Sequence, residues 1–141
     1  MRVTFGILCL VALLLYVGQV ISVANFGLAQ RLELQESPEH TDPIFNYLEL
    51  WTARWDLWVL WTLPAAGILM LFDHWLWPYA AIIGGGAFVD AGGHEAVKIF
   101  GLKEQGVQIG SQREFLIATA AYIYLIATGC LSIGIGLCEI I

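Results

Sequence analysis

The sequence predicts an all-α fold, an integral membrane four-helix bundle, on three observations. Hydrophobic residues make up 59% of the 141 residues and charged residues only 13%, about half the charged share of an ordinary soluble domain. A single core of this size cannot hide that much apolar surface, whereas lipid solvates the outer faces of helices directly. Four apolar runs alternate with polar stretches, each run long enough to cross about 30 Å of hydrocarbon. The length allows one domain over residues 1–141.

The first run places a helix over residues 4–29, with Arg2 as its only preceding basic residue. A signal peptide has a shorter apolar core and a small-residue cleavage site. Val23-Ala24-Asn25 matches such a site poorly, so the run reads as a retained helix. Residues 31–46 form a polar connection with Glu33, Glu36, Glu39, His40 and Asp42, broken by Pro38 and Pro43. The second helix covers residues 44–72. Its tryptophans, Trp51, Trp55, Trp58 and Trp61, mark the headgroup level, and Pro64 predicts a kink. Asp73-His74-Trp75-Leu76-Trp77-Pro78 is a tight turn at the opposite surface. The third helix covers residues 77–100 and the fourth residues 114–138, joined by a polar, glycine-containing connection.

The net charge of -6 argues against nucleic acid, which rewards clustered Lys and Arg. Cys9, Cys130 and Cys138 lie in apolar runs with no CxxC pair, so they read as small apolar core residues rather than a disulfide or zinc framework. Two surfaces follow from the helix order. The terminal side holds both termini and the Asp73 turn; the loop side holds the two longer connections. Five of the six Lys and Arg lie toward the loop side. The positive-inside rule makes that side cytoplasmic and both termini non-cytoplasmic.

Depth can be read by counting 1.5 Å per residue. Asp56 and His94 both come out about 25 Å from the terminal side, Gln19 about 22 Å and Asp90 about 20 Å. Tyr122 lies roughly 10–15 Å inside the loop side. The half facing the terminal side is nearly all apolar. This pattern predicts a pocket open to the loop side and closed below, lined by Asp90, His94, Asp56, Gln19 and Tyr122. Ionisable residues at bilayer depth are costly and mark function by default.

Asp90 and His94 are one helical turn apart and share a face. Such a pair can move a proton, orient a ligand, or act as a clasp between helices. Glu95 points about 100° away and reads as a helix-end ion pair with Lys98. No di-iron Glu-x-x-His pair, bis-histidine haem site, paired thiols or Ser-His-Asp arrangement is legible. Metal is therefore not expected, and no cofactor or catalytic residue can be named. Gly84, Gly85, Gly86, Gly92 and Gly93 with Thr128, Ser132 and Gly136 form small-residue stripes that let membrane helices approach closely.

Ala91-Gly92-Gly93-His94, the acidic helix start at Glu49 and the compact four-helix plan give a chain that resembles small bacterial four-helix membrane proteins, the DoxX-like and related groups. The resemblance implies a bacterial inner-membrane location and, in some members, a place in a respiratory or redox assembly. It carries over no catalytic residue.

The leading expectation is a small membrane protein that binds a ligand, a proton or a lipid-soluble molecule, as an accessory subunit of a larger complex or alone in the lipid bilayer. One rival is a membrane enzyme with Asp90-His94 as general base on a lipid-soluble substrate. The other is a proton-coupled transporter working as a homo-oligomer through its glycine faces.

Overall fold

The computed structural model describes residues 2–141, and these fold as helices joined by turns, with no strand among them. Helix α1 (Arg2–Ala24) is followed by the short α2 (Phe26–Arg31). The loop after it carries one 3-10 turn, Pro38–His40. Then come α3 (Pro43–Val59), α4 (Thr62–Leu71), α5 (Trp77–Glu104) and α6 (Gln112–Ile140). Helices α1 and α6 are long and apolar enough to cross a membrane. At 23 and 29 residues they span about 35 and 44 Å.

Two expected helices are each divided. The helix expected over residues 4–29 breaks at Asn25, whose side-chain oxygen accepts the Leu28 N–H at 3.0 Å and so starts α2 as a new helix. The helix expected over residues 44–72 divides into α3 and α4 at Leu60–Trp61, one turn before Pro64. Proline has no N–H for the Leu60 carbonyl, and its ring crowds that carbonyl. Thr62 Oγ1 donates to the Val59 carbonyl at 2.6 Å and Trp61 Nε1 to that of Trp58 at 2.9 Å, satisfying acceptors around the break. Leu60 and Trp61 keep right-handed helical backbone, so α4 continues the course of α3.

Helix starts follow their caps. The Asp42 carboxylate accepts the Ile44 N–H at 3.0 Å with Pro43 in the first turn of α3. Ser111 and Glu114 form a reciprocal capping box on α6. Asp73 ends the turn after α4 with φ 53, and its carboxylate pairs with Arg2 at 2.7 Å. This contact sets the start of α1 beside that turn. At the other end the Asp42 N–H donates to the Gln108 carbonyl at 2.9 Å, joining the two longer connections.

Packing follows chain order: α1 lies on α3 and α4, α4 on α5, and α5 most extensively on α6. The α5–α6 seam is close enough for backbone to meet backbone. A Cβ on Gly129 would lie 2.5 Å from the Gly85 carbonyl oxygen, and one on Gly136 2.7 Å from that of Pro78. Thr128 and Ser132 are fully buried in the same seam. Toward the terminal side, Phe5, Ala12, Leu63, Ala66, Trp77 and Phe88 form a continuous apolar core. Toward the loop side, α1 scarcely meets α6 and α3 scarcely meets α5. The helices diverge there and leave a cavity.

Gly129→Ala is expected to lower unfolding free energy by about 1–3 kcal/mol, because its Cβ meets backbone that cannot yield. Gly134→Ala, where a Cβ would meet nothing within 4 Å, should be neutral or slightly stabilising. Denaturation of both variants in mild detergent measures the difference; equal effects would contradict the tight seam.

Candidate functional site: an acidic cavity

The cavity encloses about 550 Å³ between α1, α3, α5 and α6, and residues 30–37 of the connecting loop contribute to its wall. Its apolar wall includes Leu15, Leu60 and Leu125. Its polar wall carries six carboxylates, Glu33, Glu36, Glu49, Asp56, Glu95 and Glu114, against the two guanidinium groups of Arg31 and Arg113, with neutral polar side chains between them. Glu36, Glu49, Asp56 and Glu95 are 8%, 7%, 6% and 5% exposed, and Lys98 supplies the ammonium among them.

The acids of α3 and α5 reach the cavity by helical spacing. On α3, Glu49, Ala53, Asp56 and Leu60 recur at intervals of three and four residues and form one buried stripe. The opposite face presents Trp51, Trp55 and Trp58, all more than half exposed. Arg54 turns outward with them, its guanidinium 4.6 Å from the centre of the Trp51 ring. On α5, Glu95 and Lys98 are three residues apart and face α3. Lys98 Nζ lies 2.6 Å from Glu49, 2.7 Å from Glu95 and 3.1 Å from Thr52 Oγ1. One ammonium therefore bridges two carboxylates on different helices.

Asp56 is left out of this arrangement. Among the described residues no hydrogen bond or ion pair reaches its carboxylate, although it is nearly buried and lines the cavity. Across the cavity, the side-chain oxygen of Gln19 is also buried without a partner. Tyr122 completes this wall from α6. The loop is pinned above: Glu114 accepts the Ser37 N–H at 2.8 Å, Gln30 donates to the Glu36 carbonyl at 2.9 Å, and Gln35 donates to Ser22 Oγ at 3.2 Å. Burial pushes the Glu36 carboxyl above its ordinary value.

Of the residues expected in a pocket, Gln19, Asp56 and Tyr122 line this one. Asp90 and His94 do not. They share a face, as their spacing requires, but that face is exposed on the outside of α5. The residue pointing inward is Glu95, about 100° further round the helix. It is no isolated helix-end pair, because Glu49 joins it on Lys98. Sequence reasoning missed Glu36, Glu49 and Glu95 as cavity residues, and Lys98 as the cation shared by two of them. The signal for Glu49 was present in its register with Asp56, opposite the tryptophans.

Cys9 lies in the core, whereas Cys130 and Cys138 are free and exposed on α6, not the core residues expected. Among the described residues no group of three His, Cys, Asp or Glu side chains is arranged to hold a metal ion.

Lys98→Met leaves two buried carboxylates unneutralised and should cost about 3–5 kcal/mol of stability. Adding Glu49→Gln and Glu95→Gln should recover much of it, as measured by unfolding in detergent. For Glu36, a raised folded-state pKa means that the native protein holds the proton more tightly than the unfolded chain. That stabilisation is complete below about pH 4.5 and is lost as pH rises through the raised value. Glu36→Gln should therefore gain stability relative to the parent as pH increases above 4.5. A pH-independent difference would show that burial does not perturb this group.

No protein-family model, curated protein or solved structure matches the chain.

Proposed function

We propose that the chain is a four-helix integral membrane protein, spanning with α1, α3–α4, α5 and α6, that binds a lipophilic organic cation in the acidic cavity. The observation that carries this reading is Asp56: a residue 6% exposed, lining a cavity, with no cation paired to its carboxylate. A buried unpaired carboxylate is costly, and the cost is relieved by a proton or by a positively charged ligand.

The remaining walls fit the same class of ligand. Leucines beside Asp56 suit an apolar body, the Tyr122 ring offers an aromatic surface, and about 550 Å³ is within the usual range for small-molecule sites. Lys98 is already shared by Glu49 and Glu95 and does not compete for Asp56. The cluster beneath, from Leu60 to Phe5, is apolar. This favours a binding site entered from one side over a through-channel. The general-base reading has less support, since His94 lies outside the cavity.

The exposed tryptophans of α3 and the exposed leucines and valines of α1 favour lipid as their solvent. In this reading the loop side, with most of the Lys and Arg, faces the cytoplasm of a bacterial cell, and both termini lie on the other side.

Tetraphenylphosphonium and tetraphenylborate, matched in shape and opposite in charge, provide the test. In lipid nanodiscs the cation should raise the unfolding temperature of the parent protein and bind saturably, while the anion should do neither. Asp56→Asn should weaken cation binding about tenfold or more, the loss of one charge-assisted contact worth roughly 1.5–3 kcal/mol. Equal response to both ions, or unchanged binding by Asp56→Asn, would sink the assignment.

A further inference from the structure

The outer face of α5 poses a separate problem. Ile83, Gly86, Asp90, His94, Val97 and Phe100 are all exposed on it, and a Cβ added to Gly86 or Gly93 would meet nothing. Asp90 lies about 20 Å along a helix of about 42 Å, halfway between its ends. The aspartate side chain is too short to reach either surface from there. Each ionisable group at such a depth costs several kcal/mol when it faces lipid. Among the described residues neither Asp90 nor His94 has a hydrogen-bond or ion-pair partner. Both other sides of α5 are taken, by α4 at Gly84 and by α6 at Gly85 and Gly92.

Two features of the face indicate what covers it. Ile83, Gly86, Asp90, Gly93, Val97 and Phe100 recur at alternating intervals of three and four residues, the period that keeps a helix seam against a parallel copy of itself. Glycines at two positions of that seam permit close approach. The face is also self-complementary in charge. Copies of one chain insert with the same topology, so a two-fold axis along the membrane normal sets α5 beside α5 in parallel. Helical side chains lean toward the N-terminus, and the longer imidazole of His94 extends further that way than the Asp90 carboxylate, toward Asp90 of the neighbouring copy. Two Asp90–His94 contacts then form across the axis, as an isologous interface requires.

We propose that the chain forms a parallel homodimer through this face of α5, held by reciprocal Asp90–His94 contacts. The inference rests on the reading that α5 crosses the membrane. The dimer is independent of ligand in the cavity, which opens on a different side of α5.

Single cysteines test it in the full-length chain with Cys9, Cys130 and Cys138 replaced by Ala, oxidised in native membranes. Gly86→Cys and Gly93→Cys should each give a covalent dimer, and Ile123→Cys, on the exposed face of α6, should not. Asp90→His or His94→Asp alone should reduce cross-linking at Gly93→Cys to background, and the two together should restore it. Recovery in the exchanged pair separates reciprocal contact from a general folding defect. Protein that resists alkaline extraction but cross-links no better through α5 than through α6 overturns the dimer alone. So does cross-linking indifferent to the single exchanges. Release by alkaline extraction overturns the membrane reading and the dimer with it.

Discussion

The Lys98 ammonium, shared by Glu49 and Glu95, is the interaction on which the loop-side half of the molecule depends. Helices α3 and α5 otherwise meet through a small apolar cluster that joins Phe45 to Ile99, and the bridge spans the gap between them at 2.6 and 2.7 Å. Together with that cluster it fixes the separation of the two cavity walls. Two carboxylates facing each other across a poorly solvated space repel strongly, because the Coulomb term grows as the effective dielectric falls. The ammonium turns that repulsion into a tie. Because it is already engaged twice, and hydrogen-bonded to Thr52 as well, it has little left to offer Asp56 deeper on α3.

The loop segment completes what the bridge begins. Residues 30–37 would be free to leave the cavity mouth if only their own turns held them. They are anchored instead by Glu114, which caps α6 and accepts the Ser37 N–H with the same carboxylate. The helix cap and the loop anchor are therefore one side chain, so α6 and the roof of the cavity keep their relation. On the terminal side the opposite principle applies. There the helices close by apolar contact, with the Phe5 and Trp77 rings 5.3 Å apart.

Much of this could be read from the chain, and the failures have a common physical origin. The all-helical class, the turn at Asp73 and the disturbance around Pro64 follow from local rules. The break at Asn25 was hidden because apolar residues continue on both sides of it, so only the capping geometry shows the division. At the site, Asp56, Gln19 and Tyr122 could be found by depth. Asp90 and His94 were expected inside on the same count of depth, but depth does not determine which face of a helix looks inward. Glu95 looked like a local pair because its partner three residues away is visible in the sequence, whereas Glu49 comes from another helix and is not.

The hydropathy of the helices agrees with their positions once lipid is taken as the outer solvent. Helices α1 and α6 lie at the ends of the packing order and expose most of their surface. These are the two that are long and apolar enough to cross a membrane. Helix α5 carries Asp90, His94, Glu95 and Lys98 among glycines. It is also the helix with the most covered sides: α4, α6 and the cavity take three, and the proposed second copy takes the fourth. A helix with little lipid contact tolerates polar residues that an outer helix cannot, since each polar group needs a partner and not merely a depth. The same rule accounts for both polar sets on α5. Glu95 and Lys98 find their partner on α3 of the same chain. Asp90 and His94, turned about 100° away from them, have one only if another chain supplies it.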